Sequence, residues 1–151
     1  MILMNNFSLE SCDGNVKNLE DYKGKTLVLY FYPKDSTKGC TIEAMEFSDL
    51  KEDFDKLGAV VVGISKDKIS SHKKFIEKDN LKVELLSDPE RKVAEKFKVL
   101  KTGKMCGKDV IKTIRSTFIF NKEGKLVKEF RDVKPEGHAM DVLNYLKEND
   151  L

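Results

Sequence analysis

Cys40 stands where a polar loop, KDSTKG, gives way to a helical pattern, with Thr37 three residues before it and Pro33 at the head of the loop. The first turn of a helix has unpaired backbone N–H groups and a partial positive charge. A cysteine there is stabilised as the thiolate, the form that attacks electrophiles. Thr37 can offer its hydroxyl to a sulfur or to a substrate oxygen, and Pro33 can hold the loop rigid and keep water off. The same position also suits a small buried filler, the role of most free cysteines. Position by itself leaves both readings open.

The elements on either side are well marked. Thr26 to Tyr32 is an apolar run without alternation, the pattern of a strand buried on both faces. Pro33 ends it, because proline cannot donate to a ladder. Past Cys40, the residues Phe47, Leu50, Phe54 and Leu57 form the stripe of an amphipathic helix, closed by Gly58. Ala59 to Ser65 repeats the unalternated strand, which completes a right-handed βαβ unit.

With those elements in place, the spacing Pro33-xxx-Thr37-xx-Cys40 resembles the active-site motif of peroxiredoxins. The longer string FYPKDSTKGCTIEAMEF is similar to the peroxiredoxin Q, or bacterioferritin comigratory protein, subgroup. Arg115, in IRSTFIF, resembles that family's active-site arginine, and the likeness extends from Phe7-Ser8-Leu9 to the last helix. Two positions depart from the subgroup pattern. Lys38 stands where proline is common, and Met45 where many members carry a second, resolving cysteine.

The 151 residues are expected to form one domain, 1–151, around a single core. Charged residues make up 36% and apolar ones 40%, a balance that excludes a disordered chain or a membrane-embedded one. Twenty-eight basic and 26 acidic residues are interspersed, leaving a formal charge of +2 and no nucleic-acid footprint. No apolar run is long enough to cross a bilayer, and the N-terminus lacks the layout of a signal peptide. Three widely spaced cysteines make no disulfide framework, so a reducing cytoplasm is the expected compartment.

Along the rest of the chain, Ile2–Leu9 and Val16–Leu19 flank the turn Cys12–Asn15 as an opening hairpin. Cys12 is expected to be a thiol without a task. Ser65 to Asn80 reads as loop and helix, with His72 as a helix-boundary residue and a proton shuttle as the alternative. Glu84 to Ser87 is a short strand, and Asp88-Pro89 opens a helix with Val93, Ala94 and Phe97 inward. Lys98 to Lys112, containing Cys106, reads as a loop or partly extended segment. Thr113 to Phe120 is a strand, Asn121–Gly124 a hairpin turn, and Lys125 to Val133 the return strand. Gly137 to Lys147 is the closing helix, with His138 as a solvated residue at its start. The order predicts an α/β thioredoxin-like fold, a mixed central sheet with helices on both faces and an N-terminal hairpin. The family resemblance implies the same.

The resemblance implies a thiol-dependent peroxidase that takes hydrogen peroxide or alkyl hydroperoxides. Cys40 would attack the O–O bond; the N–H groups around Gly39 and Cys40, Thr37 and Arg115 would stabilise the charge that builds on oxygen. Pro33 would shield the site. Glu43, one turn into the helix, either orients Arg115 through a salt bridge or is an ordinary solvent-facing glutamate. The product is a sulfenic acid, reduced by thioredoxin or another thiol, with no metal or organic cofactor. Cys106 is the better internal candidate for resolution, although a one-cysteine route through an external thiol is expected. The resemblance further implies a monomer or weak dimer. A dithiol oxidoreductase is disfavoured, because Thr41-Ile42-Glu43 follows Cys40. A non-catalytic binding or holdase module on the same fold is the alternative.

Overall fold

The structure is a computed structural model and describes residues 7–149, so the expectations for Ile2 to Asn6 lie outside the described residues. Among the described residues a seven-stranded sheet has the order β2-β1-β5-β4-β3-β8-β9. Its centre is β3 (Thr26–Phe31), β4 (Ala59–Ser65) and β5 (Glu84–Ser87), which run parallel. β1 (Ser8–Ser11) joins β5 antiparallel and pairs with β2 (Val16–Asn18) in the expected opening hairpin. On the other side β8 (Ser116–Phe120) is antiparallel to β3, and β9 (Leu126–Phe130) closes the edge.

All six residues of β3 are buried, as its unalternated sequence requires. Val28, Tyr30 and Tyr32 point into a core shared with Cys40, Phe47, Phe54, Phe75, Val142 and Leu146. These come from α1 (Lys38–Asp49), α2 (Lys51–Lys56), α3 (Ile69–Asp79) and α5 (His138–Glu148), which cover that face. Leu27, Leu29 and Phe31 point the other way, against Val93, Ala94 and Phe97 of the α4 region (Lys92–Lys96). Helices therefore lie on both faces, as the thioredoxin-like layout demands. Gly63 sits opposite Tyr30 in the β3–β4 register, and a Cβ there would lie 2.7 Å from the Tyr30 ring. Only glycine lets that ring cross β4 and stack on Phe47, 4.9 Å between centroids.

Several expectations need correction. The single helix after Cys40 breaks at Leu50 into α1 and α2, and Gly58 follows α2 at φ +70°. The Asp88-Pro89 helix start moves to Lys92, yet the Asp88 carboxylate still accepts from the N–H groups of Val93 and Ala94 at 3.1 and 3.0 Å. Asp88 therefore caps the helix from across a turn. The segment read as a loop or partly extended is extended throughout as a regular hairpin, β6 (Leu100–Met105) with β7 (Lys108–Thr113). Cys106 and Gly107 form its turn with φ of +53° and +79°, the conformation of a tight two-residue connection. The strand expected from Thr113 to Phe120 is interrupted. Ile114 and Arg115 lie between β7 and β8, which frees the arginine side chain from any sheet face.

Candidate active site

Thr37 is the last extended residue before α1, at φ −80° and ψ 159°, and its carbonyl accepts from the N–H of Thr41 at 2.9 Å. Cys40 is thus the third residue of the helix, where neither its own N–H nor that of Gly39 has an intrahelical acceptor. The thiol is 1% exposed, packed under α1 against the β3 aromatics.

Arg115 reaches it from the same end of the sheet, just before Ser116, which stands opposite Phe31 in the β3–β8 register. Its Nη2 donates to Cys40 Sγ at 3.4 Å, and its Nη1 donates to Glu43 Oε1 at 2.7 Å. The guanidinium comes close to the first turn of α1 because residue 39 is glycine; a Cβ there would be 3.0 Å from Nη2 and 3.3 Å from Pro135. Arg115 is held from behind, where its carbonyl accepts from Val133 N–H at 2.9 Å. Burial opposes its charge, but Glu43 and Cys40 outweigh that and raise its pKa. Glu43 is fully buried. Burial pushes its carboxyl up to about 7, with Arg115 pulling the other way, and its Oε2 has no hydrogen-bond partner. The solvent-facing alternative for Glu43 is therefore excluded. The carboxylate is the buried brace of the arginine.

The remaining residues fall in different places. The Thr37 hydroxyl is exposed and donates to Lys34 O at 2.9 Å, so its proton is engaged within the loop while its lone pairs stay open. Pro33 is half-buried at the mouth of the loop, on the wall of a cavity of about 910 Å³ bounded opposite by β7. Cys106 is exposed at the hairpin turn. Five strand steps, roughly 17 Å, separate that turn from the Leu100–Thr113 end that leads into Arg115. Cys12 is half-buried, 4.0 Å from Leu85 O, and burial pushes its pKa up. None of the three cysteines is bridged.

Both histidines differ from expectation. His138 is not solvated. It is 3% exposed, its Nε2 lies 2.6 Å from Thr117 Oγ1, its ring meets Phe47 and Phe130 edge-on, and burial lowers its pKa to about 4. His72 is no helix-boundary residue but a fully buried one, bound to Asp35 Oδ2 at 2.7 Å and to Leu86 O at 2.9 Å. Asp35, Tyr32, Ser71 and Asp67, which complete this network, escaped the sequence reading. The one signal for them was a polar residue, His72, on the apolar stripe of α3.

Comparison with known families matches residues 3–129 to the AhpC/TSA family. Peroxiredoxin Bcp of Bacillus subtilis is 49% identical over 140 residues, covering 93% of this chain and 89% of the relative. Peroxiredoxin Bcp of Xanthomonas campestris is 43% identical over 134 residues, with 89% and 84% covered. Among solved structures, one of the Xanthomonas campestris bacterioferritin comigratory protein, described for its alkyl peroxide reduction activity, superposes with a TM-score of 0.90. It is 40% identical and covers 96% of this chain and 92% of its own. A cysteine-to-serine mutant of Xylella fastidiosa PrxQ gives a TM-score of 0.91 at 38% identity, with 98% and 92% covered. A motif read from spacing, a guanidinium braced against a helix-start thiol and relatives matched over nine-tenths of the chain converge: this chain belongs to the AhpC/TSA family, within its peroxiredoxin Q, or bacterioferritin comigratory protein, subgroup.

Proposed function

We propose that this chain is a thiol-dependent peroxidase in which Cys40 is the attacking sulfur and Arg115 its electrostatic partner. The observation that carries the reading is the Arg115 Nη2 to Cys40 Sγ contact of 3.4 Å, made by a guanidinium whose other nitrogen is fixed on Glu43. The Cys40 thiolate attacks one peroxide oxygen, the O–O bond breaks heterolytically, and the electron pair leaves on the distal oxygen. A proton from solvent converts that oxygen to water or an alcohol, and the sulfur becomes a sulfenic acid. Charge passes from sulfur to oxygen during this step. Fixed donors that follow it, the guanidinium fork and the N–H groups of Gly39 and Cys40, lower the barrier without reorganising. Thr37, with its lone pairs open, can accept the hydrogen of an incoming hydroperoxide. Pro33 presents no N–H and closes the loop side.

An alkyl hydroperoxide is an expected substrate beside hydrogen peroxide, because the Xanthomonas relative is described for alkyl peroxide reduction. The sulfenic acid condenses with an external thiol, thioredoxin or another, releasing water; a second thiol then frees Cys40 as a new disulfide leaves. We place the activity in one domain spanning 1–151, acting as a monomer or weak dimer in the cytoplasm, without cofactor, nucleic acid or membrane. No helix among the described residues is long and apolar enough to cross a membrane. Membership of the family does not favour the non-catalytic holdase alternative. Stopped-flow mixing of reduced protein with hydrogen peroxide tests the reading: Cys40→Ser should abolish peroxide consumption with the fold intact. Turnover retained in that variant refutes it.

A further inference from the structure

Between Pro33 and the helix start at Lys38 the chain makes a turn with one buried residue. Lys34, Ser36 and Thr37 are exposed, while Asp35 is 6% exposed. Ser36, the next residue, has φ +62°, a left-handed conformation that costs a residue with a Cβ on the order of 1 kcal/mol. A turn of this kind persists only where its surroundings over-determine it. Here they do. Asp35 N–H donates to Asp67 Oδ2 at 2.7 Å, Tyr32 Oη donates to Asp35 Oδ1 at 2.6 Å, and Ser71 Oγ donates to Asp35 Oδ2 at 2.8 Å. His72 Nδ1 meets Oδ2 at 2.7 Å. Asp67 is itself fixed by Ser65 Oγ at 2.7 Å, and its carbonyl accepts from Ser87 Oγ at 2.6 Å.

His72 is the hub. Its Nε2 faces Leu86 O at 2.9 Å, and a carbonyl can only accept, so the hydrogen at Nε2 is committed to β5. The 2.7 Å approach of Nδ1 to Oδ2 then needs a second hydrogen between ring and carboxyl group. Both ring nitrogens are therefore engaged, as a buried polar ring requires. They tie α3 and β5 to the catalytic loop.

We propose that His72 is a positioning residue for the peroxidase reaction. Together with Asp35 it forms a buried clasp that holds the strained Lys34–Thr37 turn, and through it the first turn of α1, in the geometry that sets Cys40 against Arg115. His72 touches neither substrate nor Cys40. It acts through Asp35, with Tyr32 Oη 3.4 Å from the same Nδ1, and the inference rests on the peroxidase reading of Cys40.

The two nitrogens can be separated by substitution. His72→Asn keeps a donor near the place of Nδ1, toward Asp35, and His72→Gln keeps one near the place of Nε2, toward Leu86. The rate constant for oxidation of Cys40 by hydrogen peroxide is measured for both, with circular dichroism to check folding. The clasp predicts that His72→Gln slows the reaction about tenfold or more, as sub-ångström misplacement of a reacting group does, while His72→Asn stays within a few-fold of the parent. Equal losses, or a faster His72→Gln, would overturn it. If either variant fails to fold, nuclear magnetic resonance of the unmodified protein decides: two exchange-protected protons, one on each side of the His72 ring, support the clasp, and a single one at Nε2 overturns it. A parent protein inert to peroxide would instead sink the peroxidase reading, and the ring protons would still judge the clasp.

Discussion

Arg115 and Glu43, 72 residues apart in sequence, meet at 2.7 Å directly behind Cys40, and the second oxygen of that carboxylate is buried with nothing to accept from. The single contact to Oε1 occupies Nη1, fixes the orientation of the guanidinium and leaves Nη2 pointed at sulfur. Under the proposed function the pair bears on both catalysis and stability.

Arg115→Met removes the fork while keeping an unbranched side chain. Peroxide reduction should slow roughly a hundredfold, the usual loss for one preorganised donor. The second-order rate constant from stopped-flow mixing checks this, and an unchanged value would make the 3.4 Å contact incidental.

Glu43→Gln separates brace from charge. The Glu43 carboxyl is pushed from 4.5 up to about 7, so the folded state binds its proton more tightly than the unfolded state does. Stability is then full below pH 4.5 and falls as pH rises toward 7, by about 3 kcal/mol for a shift of this size. The glutamine variant should lose that slope while keeping an oxygen for Arg115. Urea unfolding at stepped pH reads the difference, and a parallel decline in both proteins would contradict it.

His138 imposes the opposite slope. Its pKa drops from 6.5 to about 4, chiefly through burial, so below pH 6.5 the unfolded chain takes up a proton that the folded one refuses. Stability contributed by this site is intact above pH 6.5 and is lost as pH falls toward 4, again by about 3 kcal/mol. His138→Gln, whose amide can still meet Thr117, should flatten the acid limb. Between pH 4.5 and 6.5 the Glu43 and His138 slopes oppose one another, so each shows clearly only when the other has been removed.

Resolution of the sulfenic acid should need an external thiol. A disulfide requires Cα atoms within about 7 Å. Cys106 sits at the far turn of a paired hairpin, and Met45, 43% exposed, has no thiol to offer. One equivalent of peroxide should leave a trappable Cys40 sulfenic acid, unchanged in Cys106→Ser, by mass spectrometry. Rapid, stoichiometric Cys40–Cys106 disulfide within one chain would reverse the assignment.

Local pattern was enough for the strand, loop, cysteine and helix at the centre of this chain. Thr26 to Tyr32 and Ala59 to Ser65 carry no polar residue on alternate positions, and such runs are stable only inside a sheet covered on both faces. Position and spacing singled out Cys40 and Thr37, whereas Arg115 was marked only by the family resemblance. What sequence left open was burial, which is a sum over contacts from distant parts of the chain. Glu43 looked equally suited to solvent until Arg115 was placed against it. His138 looked like a surface residue until Phe47, Thr117 and Phe130 closed around it. His72 acquired its two partners only when β3, β5 and α3 packed together. The β6–β7 hairpin escaped because its strands, rich in lysine, threonine and glycine, bury too little to show a period; backbone pairing and the left-handed turn at Cys106-Gly107 hold it. Periodicity reports a face turned toward a core, and only the folded chain decides which polar groups that core encloses.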